Sequence, residues 1–248
     1  MSGTPIEVGP ALAVLLVLLT VIASAAMWFG RLGTSRVVAV AAVRAVLQLS
    51  VVSLVITALL GSAWGTALFV LVMFSVAGWT SAQRIGGRRR AAWAAAPIAV
   101  GVVPVLSLLL ASGVVPLRPI AIVPIAGIII GGAMTATSLA GRRALDELSN
   151  RYGEYEAGLS IGLMPRDAAL EINRRSAWQA LIPVVDQTRT VGLVTLPGAF
   201  VGALLGGASP VQAGAVQVLI LLALLAAESL AVLLTLELVA RGRIRGRG

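Results

Sequence analysis

Apolar runs of about 20 residues recur along this chain, separated by short polar links. They fall at 11–29, 37–60, 64–81, 91–111, 120–140, 178–205 and 211–239. Roughly 20 helical residues cross a bilayer core, so each run is long enough to be a transmembrane helix. The pattern predicts an all-α, polytopic transmembrane bundle of about seven spans, read as one domain over 1–248. One long polar stretch, 142–176, interrupts it. There Leu145, Leu148, Tyr152, Tyr155 and Leu159 recur at helical spacing, with Asp146, Glu147, Arg151, Glu154 and Glu156 between them. That is an amphipathic helix with a narrow apolar stripe. Gly162 and Pro165 then mark a turn and the start of a second short helix over 166–175. Two uses suit such a segment: a helix lying at the lipid headgroups, or an elbow gripped by a soluble partner.

Proline and glycine qualify the spans. Pro97 and Pro104 in the fourth, Pro124 in the fifth, and Pro183 and Pro197 in the sixth each remove a backbone donor and favour a kink. Gly127 and Gly131 in the fifth span, and Gly198, Gly202 and Gly206 in the sixth, stand four apart. Small residues at that spacing let helices approach closely in lipid.

Charge sets the orientation. All 19 basic residues are arginine, and 16 of them lie in alternate links: 31 and 36; 84 and 88–90; six in 142–176; and four in the tail from 241. The opposite links hold only Arg118. This asymmetry predicts an outside N-terminus and a cytosolic C-terminus, with 142–176 in the cytosol. It also makes the basic tail a membrane-surface anchor contacting lipid, so the net charge of +9 is not a nucleic-acid footprint. The first run has no basic residue before it and is expected to be a retained span, not a secretory signal. No internal repeat supports an inverted-repeat carrier.

Composition also limits the chemistry. With no cysteine and no histidine, the chain has no disulfide, no thiolate or imidazole metal ligand, and no histidine general base. It has no nucleophile–base constellation, so it reads as a transporter and not an enzyme. Polar groups nevertheless fall inside spans: Arg44, Gln48, Asp186, Arg189 and Glu228. Unpaired charge there is costly, so such residues face partners or a wet path. At ~1.5 Å per residue from the cytosolic edge, Arg44 and Asp186 lie at one depth, and Arg189 and Glu228 at a greater one. That predicts the pairs Arg44–Asp186 and Arg189–Glu228. They either lock helices together or line a translocation path, with Pro197 and Gly198 as a flexible break beside it.

The order Glu156-Ala157-Gly158, then Gly162, then Ile172, resembles the EAA-type loop of ABC transporter permeases. In those proteins a helix–Gly–helix elbow docks into an ATPase. Two positions depart from the pattern: Gly158 replaces the second Ala, and Arg174-Arg175 stand where many importers have Leu-Pro. Further matches carry the resemblance over nearly the whole chain. They are 44–49 (RAVLQL), 125–139, Glu156-Ala157 with Gly162 and Pro165, 180–183 (ALIP), and 191–198 (VGLVTLPG) continuing to 206–210 (GGASP). On these residues the chain resembles the iron-export ABC permeases, whose plant relatives are linked to aluminium tolerance. The resemblance implies a permease homodimer in a cell (inner) membrane, joined to a cytosolic ABC ATPase. It also implies coupling through Glu156, Ala157, Gly158, Gly162 and Pro165.

A P-loop requires lysine and this chain has none, so ATP and Mg belong to the partner. The cargo implied is iron or another metal species. The residues themselves leave alternatives open, because Arg44 and Arg189 would repel a bare cation. An anionic chelate, an organic anion or a sugar-nucleotide suits them better, and an ion-coupled carrier is the remaining alternative.

Overall fold

The computed structural model describes residues 9–34, 36–59, 62–86 and 91–244, without the side chains of 56–59, 91 and 92. Arg88, Arg89, Arg90, Arg245 and Arg247, part of the charge asymmetry, lie outside the described residues. The chain divides into two compact units, 1–61 and 62–248. Among the described residues, six helices are long and apolar enough to cross a membrane. The protein is a multi-pass membrane protein.

The first unit is a hairpin of α1 (Pro10–Phe29) and α2 (Arg36–Leu59). The chain reverses through Arg31 (φ 51) and Gly33 (φ 138), left-handed positions of which the second suits only glycine well. No residue of α1 is buried, although Val14, Leu18 and Ile22 are all large and apolar. Such a surface requires lipid or protein around it.

The second unit is built on α3 (Ala63–Ile85), α4 (Ala91–Ala111), α5 (Pro119–Asn150) and α10 (Pro210–Ala240). The helices α5 and α10 pack together, α3 lies on α5, α4 lies on α10, and α3 and α4 close the ring. Ser62 caps α3 by accepting the Gly65 N–H. Ser209 and Gln212 form a reciprocal capping box at the start of α10, with Pro210 at the first helical position. Helices α4 and α5 run on through Pro97, Pro104 and Pro124.

Lipid offers little hydrophobic drive between helices, so close packing must hold the ring. Its core is accordingly alanine-rich: Ala77, Ala126, Ala133, Ala227 and Ala231 around Ile98, Val102 and Ile129. Glycine provides the closest approaches. A Cβ on Gly101 would lie 2.3 Å from the Ala227 carbonyl oxygen. One on Gly132 would lie 2.6 Å from Glu228 Oε1.

The glycines expected from spacing behave differently. Gly131 has nothing within 4 Å, and Gly127 meets only the flexible end of Met73. Gly198 and Gly202 are likewise open. The α5 contacts therefore run through Gly132 and Gly141, not along a Gly127–Gly131 face.

The sixth predicted span, 178–205, is not one helix. It begins at the end of α7 (Pro165–Trp178), continues as α8 (Ile182–Thr190), and restarts as α9 (Gly198–Leu205). Pro183 lies in the first turn of α8, where its missing N–H does no harm. The second break has a local cause. Gly192 takes φ 83, its N–H donates to the Thr195 carbonyl at 2.9 Å, and the Leu193 and Val194 N–H groups fold back onto the Thr190 carbonyl. Pro197 then removes a donor, disfavours helix at the residue before it and is itself extended, so the helix restarts only at Gly198. Val184 and Ala199, on either side of the break, both join the cluster around Ile220 and Leu224, well inside α10.

Candidate functional site

The polar stretch after the fifth span is folded, and its geometry follows from its sequence. Helix α5 does not stop at 140 but continues to Asn150, 32 residues in all, or ~48 Å. The apolar stripe expected from Leu145 to Leu159 is cut at Arg151 (φ −113, ψ 32), after which α6 (Tyr152–Ser160) sets off in a new direction. Arg151 makes the corner. It pairs with Glu154, lies 3.9 Å from Glu147, and donates to the Ile172 carbonyl of α7 at 3.4 Å. The Glu154 carboxylate is held below its usual pKa by that hydrogen bond from Arg151.

The turn into α7 runs through Gly162 at φ 95. An L-residue there would be strained by about 1–2 kcal/mol. Pro165 opens α7, one position before the predicted start at 166, and α7 runs three residues beyond 175. The Gly158 departure also has a physical reason. A Cβ there would lie 3.3 Å from Ala168 Cβ, tighter than an ordinary contact, so glycine lets α6 close onto α7. Glu156 and Ala157 are exposed on α6, and Ile161, Leu163 and Met164 form an exposed apolar tip.

The elbow is fixed to the membrane helices. Ala168, Ala169, Ile172, Asn173, Ser176 and Ala177 are buried as α7 packs on α5 and α10. Arg166 makes a two-pronged contact with Glu237 of α10, Nε to Oε1 at 2.7 Å and Nη2 to Oε2 at 2.8 Å. The Glu237 carboxylate also takes Arg241, and it raises the Arg166 pKa. Arg243 lies over the Trp93 ring, 5.1 Å from its centre. Two tail arginines are thus engaged within the chain. Sequence reasoning missed the Arg166–Glu237–Arg241 clamp, because 71 residues separate its first two members.

The intramembrane polar residues are distributed unevenly. Arg44 and Gln48 are exposed on α2, where Arg44 and Arg36 line an open groove of about 430 Å³ with Thr34 and Val40. The first unit has no acidic residue among its described residues. Asp186, Gln187 and Arg189 are exposed on α8, and the Asp186 carbonyl accepts the Thr190 hydroxyl at 2.8 Å. Glu228 is buried on α10 against Gly132.

Within this unit Arg189 and Glu228 do not pair. Depth along two helices matched them, but Glu228 faces α5 while Arg189 is exposed on the short helix α8. Pro197 caps α9 in extended conformation, and Gly198 begins it with open space around its α-carbon. Gln217 Oε1 on α10 and both polar atoms of Asn173 on α7 are buried without a hydrogen-bond partner. Neither gave any signal in the sequence beyond being polar in an apolar neighbourhood. Among the described residues, no three His, Cys, Asp or Glu side chains cluster as metal ligands.

Comparison with known proteins agrees with this architecture. Residues 11–243 match the family described as Uncharacterised protein family (UPF0014). The chain is 37% identical over 83% of its length to the UPF0014 membrane protein STAR2 of Oryza sativa, covering 73% of that protein. It is 35% identical over 86% of its length to Protein ALUMINUM SENSITIVE 3 of Arabidopsis thaliana, covering 78% of it. It is also 33% identical over 80% of its length to the Probable iron export permease protein FetB of Escherichia coli, covering 78% of it. No solved structure matches the chain.

Proposed function

This chain belongs to the UPF0014 family, and we propose that it is the membrane-spanning permease subunit of an ABC transporter that exports a metal species. In this proposal a separate cytosolic ATPase binds ATP and Mg and supplies the energy. The observation that carries the reading is the elbow of α6, Gly162 and α7. It presents Glu156, Ala157 and the apolar tip Ile161–Met164 outward, and it is buried at its base against α5 and α10. A mere headgroup-lying helix needs no such rigid base, whereas a docking element must transmit force.

The broken sixth span supports the second half of the reading. Irregular backbone at membrane depth is tolerated only where protein covers it or where it lines water. Leu193 and Val194 are 91% and 79% exposed beside the Gly192 turn. A second copy of the chain over this stretch would cover it and enclose a path lined by Asp186, Arg189, Pro197 and Gly198. Half-helices that end near mid-membrane are a common construction for transport sites.

The cargo class follows from the donors. With neither imidazole nor thiolate available, a soft transition-metal site is not built from this chain. Iron carried as an oxygen-ligated, anionic chelate suits the Arg36–Arg44 groove, and the name of the Escherichia coli relative points to iron.

The test is co-purification of the full chain with candidate ABC ATPase subunits. The wild type should retain an ATPase that Glu156→Arg and Gly162→Trp lose while still folding. Equal recovery by all three would place docking elsewhere. Recovery by none would favour an ion-coupled carrier.

A further inference from the structure

The end of α3 and the polar extension of α5 flank an open groove of about 410 Å³, separate from the elbow tip and from the broken span. Gln83 and Arg84 come from the last turn of α3. Arg142, Leu145, Asp146 and Ser149 come from one face of α5, at relative positions 0, 3, 4 and 7. The two helices are held together at its floor, where Ile85 seats directly on Gly141. A Cβ at 141 would lie 2.7 Å from the Ile85 Cδ1. Apolar helix packing thus gives way to charged side chains within one turn, which is where a membrane-spanning helix meets the headgroup layer. The volume lies within the usual range for a small-ligand pocket, roughly 300–1,000 Å³.

Two guanidinium groups and one carboxylate line this space without using one another. Among the described residues neither Arg84 nor Asp146 forms an ion pair. Arg142 and Asp146 are one turn apart, yet Arg142 donates only to the Ser138 carbonyl, from Nε at 3.4 Å. Guanidinium groups favour phosphate oxygens, which they bind through paired, charge-assisted hydrogen bonds. A simple anion would satisfy the arginines and leave Asp146 facing like charge. A ligand carrying a phosphodiester with an ammonium beside it satisfies all three.

We propose that this groove binds the headgroup of an aminophospholipid, with the phosphate on Arg84 and Arg142 and the ammonium on Asp146. Gln83 and Ser149 offer further hydrogen bonds, and Leu145 offers an apolar contact to the glycerol end. The lipid source, and not a soluble phosphate ester, follows from the position at the end of a span. Basic pockets between transmembrane helices at the membrane surface are established headgroup sites in general.

The experiment is native mass spectrometry of the full chain in detergent, titrated separately with phosphatidylethanolamine, phosphatidylglycerol, phosphatidylcholine and soluble phosphoethanolamine. Phosphatidylethanolamine should bind roughly tenfold tighter than either other lipid, the value of one charge-assisted hydrogen bond. Arg84→Ala and Arg142→Ala should each weaken it by a similar factor. Asp146→Asn, nearly isosteric, should abolish the preference for phosphatidylethanolamine over phosphatidylglycerol without weakening phosphatidylglycerol. Elution profile and helical content check the fold of each variant. Equal binding of all lipids, an unchanged preference in Asp146→Asn, or soluble phosphoethanolamine displacing the lipid at equal concentration would each overturn the assignment.

Discussion

Gly101→Ala tests the packing on which the second unit depends. Glycine to alanine in a helix normally gains up to about 1 kcal/mol. Here the added Cβ would sit 2.3 Å from the Ala227 carbonyl oxygen, 3.2 Å from its carbonyl carbon and 3.3 Å from Ala231 Cβ. An ordinary carbon–oxygen contact needs about 3.3 Å, so α4 and α10 must separate by about 1 Å. The obstructing atom is backbone, with no rotamer to yield. Overpacking of this kind costs about 1–3 kcal/mol, and a backbone obstruction lies at the upper end. The net expectation is a loss of about 2 kcal/mol, or roughly 4–8 °C in Tm for a chain of this size. The control is Gly131→Ala, where nothing lies within 4 Å and the effect should run from neutral to slightly stabilising. Thermal unfolding in detergent, followed by circular dichroism, measures both. If Gly101→Ala melted with Gly131→Ala, the backbones of α4 and α10 would not lie in direct contact at Gly101 and Ala227.

Four further outcomes follow. Gly162→Val places a β-branched residue at φ 95 and should cost about 1–2 kcal/mol; it should loosen the elbow, read as increased hydrogen exchange across α6 and α7. Glu237→Gln releases both Arg166 and Arg241, so a spin label on α7 should gain mobility, while the exposed pairing contributes little to global stability. Because Arg189 and Glu228 do not meet, Arg189→Ala and Glu228→Ala should be additive within about 0.5 kcal/mol; a larger coupling would restore the direct pair. Glu154 has a lowered pKa, so its contribution is complete above its unfolded-state value and is lost as pH falls through the lower folded value. A spin label at Ile161 should therefore report loosening of α6 only on the acid side of the ordinary glutamate range, and Glu154→Gln should remove that transition.

Much of this architecture was legible because length and hydropathy alone define a span. Five of the seven predicted runs are single helices whose ends shift by only a few residues, and the fifth is a single helix that merely runs on to Asn150. The elbow was legible too, since Gly162 and Pro165 punctuate a strong 3.6-residue pattern. The sixth run misled because Asp186, Gln187 and Arg189 read as polar groups inside one continuous apolar span. What breaks it is a local turn at Gly192 and Pro197, and hydropathy averaging does not register backbone conformation.

The glycine faces misled for a related reason. Spacing says which residues share a helix face but not which face meets a neighbour, so Gly132 and Gly101 carry the contacts that Gly131 was expected to make. Depth matching of Arg189 with Glu228 failed in the same way, because depth is one coordinate and rotation about the helix is another. The clamp on Glu237 joins residues far apart in sequence, and only the folded ring brings them together.

The most direct test is ATP-dependent flux of a ferric chelate in vesicles holding the full chain and the proposed ATPase. A docked permease should show flux that requires ATP and both subunits, and that vanishes in Glu156→Arg while Gly131→Ala leaves it intact. Flux that persists without the ATPase, or that ignores ATP, would contradict a docked, ATP-driven permease.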